Sequence, residues 1–138
     1  MEMVDQPPPI PTDRRPAWDI VIEYVRKRRD DNAYGSTGVM DRVLADMRER
    51  DAVGRQRYGV ALTSRNGRDQ LIDAYQEICD ACVYIAAALD EHDVGPETLS
   101  VTSRPDGWHL FCVQQLFASQ VRALVQLRAL IEERTQAS

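Results

Sequence analysis

Lysine is nearly missing from this chain: Lys27 is the only one, and every other basic side chain is arginine. No Gly-x-x-x-x-Gly-Lys-Ser/Thr occurs, so a Walker-type phosphate loop is excluded. Arginine, by contrast, carries a planar fork of donors that suits phosphate. Long apolar runs are missing too; none approaches the roughly 20 residues that a membrane-spanning helix needs. No apolar h-region lies near the N-terminus, so no secretory signal is expected. The cytoplasm is the expected compartment, the host's if the chain is phage-encoded. Cysteines number three, an odd count that argues against a disulfide scaffold. Histidine is limited to His92 and His109, too isolated to serve as metal ligands. A basic balance is also lacking. The formal net charge is −5 over 138 residues, which argues against a dedicated binder of nucleic-acid polymers.

What is present is helix. Residues 1–16 carry Pro7, Pro8, Pro9, Pro11 and Pro16 among polar side chains. Proline blocks helix, so a mobile, extended tail is expected there. From 17 to 138 a single helical domain is expected. Trp18, Val21, Ile22 and Val25 recur at helical spacing ahead of the basic run Arg26 to Arg29, which predicts a helix from 16 or 17 to about 29. Residues 30–37 read as a turn in which Ser36 or Thr37 caps the next helix. That second helix is expected over about 38–58, with Met40, Val43, Leu44 and Met47 on its apolar face and Gly59 closing it. A loop around Arg65-Asn66-Gly67 leads to a third helix over about 68–91. Residues 92–107 read as an excursion, with a short extended piece at Leu99 to Thr102. A fourth helix is expected over about 108–133, with Leu116, Leu127, Leu130 and Ile131 on its apolar side. Helix after helix with little strand signal predicts an all-α four-helix bundle. Thin helical layers of this size are often completed by oligomerisation.

The third helix concentrates the chemistry. At about a hundred degrees per residue, Leu71, Ile78, Cys82, Ile85 and Leu89 share one face. Asp69, Asp73, Gln76, Glu77, Asp80 and Tyr84 share the opposite one. Like charges at i, i+3 and i+4 repel by roughly a few tenths of a kcal/mol per pair, and no lysine or arginine occurs between Arg68 and Arg104 to relieve them. A divalent cation, Mg²⁺ or Mn²⁺, would supply positive charge through hard oxygen ligands. A merely solvated acidic face is the plainer alternative. On the second helix, Asp51 falls within the inward stripe of Met40, Val43, Leu44, Met47 and Tyr58. A buried carboxylate needs a partner, either a metal shared with the third helix or Arg55 at i+4. Arg55, Arg57, Arg65 and Arg68 bracket the turn between these helices, where Asn66-Gly67 permits close approach of a phosphate. Cys79 and Cys82 sit mid-helix on the apolar face and read as core residues rather than zinc ligands.

Taken in order, Arg50-Asp51-x-x-Gly54-x-x-Arg57-Tyr58-Gly59, Asn66-Gly67-Arg68-Asp69 and Asp73-Ala-Tyr-Gln-Glu77-x-x-Asp80 resemble the MazG-like pyrophosphohydrolases, in a phage-associated branch. The resemblance covers about residues 40–91. Its firmest element is the E-x-x-D helix, Glu77-Ile-Cys-Asp80, followed by an apolar and aromatic run. The family's E-x-x-E pair on the preceding helix is absent; Asp46-x-x-Glu49 is nearest in pattern, and Asp51 is better placed on the helix wheel. The resemblance implies an all-α fold, Mg²⁺ or Mn²⁺, and hydrolysis of a (d)NTP to its monophosphate and pyrophosphate. It also implies homodimers or homotetramers with sites at helix–helix interfaces.

Resemblance and charge together make Glu77 and Asp80 the expected catalytic residues, and Asp51, Asp73, Glu77 and Asp80 the expected metal ligands. Arg55, Arg57, Tyr58, Asn66 and Arg68 are the expected substrate contacts. Tyr58, Tyr84, Trp108 and His109 are the aromatic side chains available to stack on a base. A relative of the MazZ type would hydrolyse dGTP. Two rivals compete with this reading. One is a non-enzymatic helical module whose acidic face meets a basic partner. The other is a triphosphohydrolase built on His-Asp metal pairs, for which two histidines are too few.

Overall fold

The computed structural model describes residues 5–97 and 104–137. Within them four helices form: α1 (Ala17–Asp30), α2 (Thr37–Tyr58), α3 (Gln70–Asp90) and α4 (Gly107–Ala137). The fold is all-α, and an isolated Pro16–Thr63 bridge is the one piece of β pairing among the described residues. None of these helices is long and apolar enough to cross a membrane. The piece expected at Leu99 to Thr102 lies outside the described residues. The chain divides into two compact units, one ending at Arg68 and the other beginning at Asp69. Each is a helical hairpin, α1 against α2 and α3 against α4.

In the first unit, helix boundaries follow local chemistry. Pro16 takes φ −55° and opens α1, where its missing N–H is no loss. Lys27, Arg28 and Arg29 fill the last turn of α1, on the negative end of the helix dipole. The Ser36 hydroxyl accepts from the Val39 amide and starts α2. Gly59, at φ +73°, donates its amide to the Arg55 carbonyl and ends it, a left-handed position that suits glycine. The Arg29 guanidinium donates to both Asp41 oxygens, at 2.8 and 3.2 Å, tying the end of α1 to the start of α2. Met40 and Leu44 are buried. Val43 and Tyr58, expected on the same inward stripe, are exposed, because a single partner helix covers only part of the apolar arc.

The proline-rich segment is extended, as its prolines require, yet it is tied to the fold. The Ile10 amide donates to the Asn66 carbonyl at 2.9 Å and the Ala17 amide to the Leu62 carbonyl at 2.8 Å. The Thr12 hydroxyl donates to the Thr63 hydroxyl at 2.6 Å. The tail expected to be mobile thus runs antiparallel along the loop that follows α2.

In the second unit, Leu89, Val94 and Leu110 form the core, with Phe111 and Val113 packed against it. The inward face of α4 is Leu110, Gln114 and Ile131; Leu116 and Leu130, expected inside, are exposed. Gln114 is tolerated in the interior because its Nε2 donates to the Gly95 carbonyl at 2.8 Å, which satisfies a turn that no helix covers. At that end of the hairpin, Arg104 donates to the His92 carbonyl and to Asp106. His92 Nδ1 lies 3.6 Å from the same carboxylate.

At the other end, Asp69 caps α3. Its carboxylate accepts from the Leu71 and Ile72 amides and from Arg134 of α4 at 2.6 and 3.3 Å. Burial pushes the Asp69 carboxyl up, but Arg134 and the two amides outweigh it and hold the group below its ordinary value. A depressed folded pKa contributes stability above the unfolded value of about 3.9, lost as pH falls through the folded value. Asp69→Ala is expected to cost about 1–2 kcal/mol, chiefly through the lost cap, and Asp69→Asn less. Thermal melts from near neutrality into acid check this. An Asp69→Asn chain that loses stability as steeply as wild type in that acid range would show that Asp69 is not the responsible group.

Candidate functional site

The solvent face of α3 carries the candidate site. Glu77 and Asp80 are both exposed. They stand three residues apart, so about 4.5 Å along the axis and on one side of the helix. No described side chain pairs with either. Asp73 lies one turn nearer the positive N-terminal end, a placement that favours a carboxylate. Beyond Asp80, Tyr84 continues the same face with 72% of its surface exposed. The fourth acid expected on this stripe, Asp69, is not part of it: it is the N-cap and is engaged by Arg134. That arginine was invisible to a local reading, since it lies 65 residues away. An antiparallel α4 returns its basic last turn to the start of α3.

Among the described residues, no group of three or more His, Cys, Asp or Glu side chains is placed to hold a metal ion. The α3 face alone therefore offers a pair of free carboxylates rather than a cage. Mg²⁺ is commonly held that way, by one or two carboxylates with water and phosphate oxygens completing its shell.

The residues expected around the preceding helix differ in their surroundings. Asp51 is 16% exposed, and its Oδ1 accepts from Arg55 Nε at 2.9 Å. Arg55 is one of the two partners expected for this carboxylate. Asp51 in turn pushes the Arg55 guanidinium up in pKa. Arg57 lies over the Tyr58 ring, 5.4 Å from its centroid, and both side chains are exposed. Asn66 is 1% exposed; its Oδ1 accepts from the Arg68 amide and its carbonyl from Ile10, so it builds the turn. Arg68 Nη1 donates to the Pro7 carbonyl at 2.7 Å. Arg65 takes φ +58° and is exposed. Asp46 and Glu49 are exposed on α2.

If Asp51 serves only Arg55, Asp51→Asn removes one i,i+4 pair, at a cost of about 0.3–0.5 kcal/mol, and leaves any nucleotide turnover unchanged. A large loss of turnover at unchanged stability would restore Asp51 as a ligand. Comparison of melts and initial rates checks both halves.

Cys79, Cys82 and Cys112 are free and half-buried. Burial, and then the neighbouring Cys79, push the Cys82 thiol up, away from the thiolate that metal binding needs. An open cleft of about 480 Å³ lies between α3 and α4, lined mainly by Tyr75, Val121, Leu124 and Val125, with Arg128 and Glu132 also on its wall. No protein-family model, no curated protein and no solved structure matches the chain.

Proposed function

We propose that this chain is a metal-dependent nucleoside triphosphate pyrophosphohydrolase of the MazG-like kind. One observation carries the reading: Glu77 and Asp80 stand exposed on one face of α3, a single turn apart, with no described side chain paired to either. Two like charges kept together on a helix cost stability, and such a face suits a cation. Glu77 and Asp80 would hold Mg²⁺ or Mn²⁺, with water and phosphate oxygens completing its shell. When bound, the ion supplies the positive charge that offsets a triphosphate.

In the proposed reaction a water oxygen bonds to the α-phosphorus, and the bond to the α,β-bridging oxygen breaks. Pyrophosphate leaves with that oxygen, and a carboxylate of the pair accepts the proton of the water. A homodimer or homotetramer goes with this reading, since Val83, Leu116, Val125 and Leu130 are large apolar side chains left exposed.

The test is product analysis. Purified protein is incubated with each NTP and dNTP, dGTP first, with Mg²⁺ or Mn²⁺, and the products are resolved by chromatography. Monophosphate plus pyrophosphate supports the assignment. No turnover with any nucleotide and either metal removes it. A second reading, a helical interaction module, is favoured by the open apolar cleft on the α3–α4 hairpin, a groove of the kind that takes a partner helix. It expects no turnover and a silent Asp80→Asn.

A further inference from the structure

Two apolar faces of this chain are exposed, and they match in length and charge. The first is on α1, where the helical repeat gathers Ala17, Ile20, Val21, Tyr24, Lys27 and Arg28 on one side. Ile20, Val21 and Tyr24 are large apolar side chains left exposed. The other side of α1, with Trp18, Ile22 and Val25 half-buried, packs on α2. The exposed face ends in the basic last turn of the helix. There Arg28 lies 4.6 Å over the Tyr24 ring, and Lys27 shares Glu23 with Arg15, so one carboxylate serves two cations. The second face is the cleft between α3 and α4, lined by Tyr75, Val121, Leu124 and Val125, with Arg128 and Glu132 on its wall. Eleven steps of α4 separate Val121 from Glu132, and eleven of α1 separate Ala17 from Arg28. At about 1.5 Å per step, both faces are about 16 Å long.

We propose that the outer face of α1 docks in the α3–α4 cleft of a second copy of this chain, and that the same contact in return closes a two-fold dimer. Ile20, Val21 and Tyr24 are the anchors, set along the cleft as an amphipathic helix sets its apolar stripe into a groove. Charge favours the pairing. Up to Arg68 the chain holds 13 basic and 11 acidic side chains, and beyond it 4 and 11, so the cleft belongs to a strongly acidic unit. Three of those four arginines, Arg104, Arg128 and Arg134, are each paired with a carboxylate. Charge also sets the direction. Lys27 and Arg28 lie at one end of the α1 face; Glu132 and Glu133 lie at one end of the α4 stretch, and Arg122 at the other. Like charge opposes the reverse order. The docked α1 therefore runs parallel to α4, with Lys27 beside the partner's Glu132. This interface stands independently of the hydrolase reading and is the contact of the homodimer named there.

The experiment uses the full chain. Sedimentation equilibrium is expected to show a wild-type dimer. Ile20→Glu and Val125→Glu each place a charge in the contact from an exposed position. Each is expected to keep the helix content of wild type by circular dichroism and to weaken dimerisation at least about thirtyfold. Mixed in equal amounts, the two variants are expected to dimerise at a concentration where neither does so alone, because each supplies the face that the other lacks. Lys27 is the only lysine, so a zero-length carbodiimide bond from its amine to Glu132 reports the direction of docking. In a mixture of isotopically labelled and unlabelled chain, that bond is expected between peptides of different label. The bond from Lys27 to Glu23, 3.4 Å away in the same chain, shows that the reagent has reached the lysine.

A monomeric wild type overturns the interface. So does a dimer that either variant leaves intact, a mixture of the variants that stays monomeric, or a Lys27–Glu132 bond that is missing or confined to chains of one label. Nucleotide turnover is read separately. A monomer that hydrolyses nucleotide removes the interface and keeps the hydrolase reading. An inactive dimer joined by these faces keeps the interface and removes the hydrolase reading.

Discussion

Glu77→Gln and Asp80→Asn are each expected to lower nucleotide turnover at least about a hundredfold, while the protein stays as stable as wild type or becomes slightly more so. The two halves have one cause. Both carboxylates are exposed and have no described partner, so neutralising either removes nothing that holds α3 in place. It instead relieves a like-charge repulsion of roughly a few tenths of a kcal/mol. A carboxylate recruited to packing behaves oppositely, as Asp69 should: loss of charge there lowers stability, since Arg134 and the helix amides depend on it. Rates with Mg²⁺ and Mn²⁺, measured beside thermal melts of the same samples, separate the cases. Turnover equal to wild type in both variants would leave α3 with a solvated acidic face and no catalytic role. A fall in both turnover and melting temperature would mean that the acids are structural.

Leu89→Ala should be the most damaging single truncation, at about 2–5 kcal/mol. Leu89 is 0% exposed and packs with Val94 and Leu110. That cluster includes few fully buried side chains, so the hairpin has little to close over the void. Against a typical domain stability of about 5–15 kcal/mol, such a loss would leave the α3–α4 hairpin marginal. Leu89→Met, which keeps the volume, should cost less than about 1.5 kcal/mol. Val53→Ala, on an exposed part of α2, should shift stability by no more than about 0.5 kcal/mol. Denaturant unfolding of the three variants checks the order. Equal midpoints for Leu89→Ala and Val53→Ala would place the core elsewhere.

Helix positions were legible from local chemistry. Ser36, Gly59 and the basic end of α1 act within one or two turns of themselves, so their effect can be read from neighbours in the chain. The acidic face of α3 was legible for the same reason: its period is that of the helix. Asp51 was legible as a carboxylate needing a partner, and the arginine at i+4 was one of the two candidates.

What stayed hidden is non-local. Arg134 reaches Asp69 across 65 residues, and Thr12 reaches Thr63 across 51. No periodicity marks either pair. The inward face of α4 was misjudged for a related cause. Apolar residues occur on more of its circumference than one partner helix can cover. Packing selected Leu110, Gln114 and Ile131 and left Leu116 and Leu130 outside.

The sequence by itself determined that the chain is helical and roughly where its helices lie, and it put four acids on one side of the third, of which Asp69 proves to be the N-cap. These follow from backbone propensity, capping and the helical repeat, which act over a few residues. Tertiary structure alone decided which carboxylates remain open and which are neutralised. It turned Asn66 and Arg68 toward the N-terminal segment and left Glu77 and Asp80 to solvent. A charge's surroundings depend on which distant side chains the fold brings within a few ångströms, and no local pattern encodes that distance.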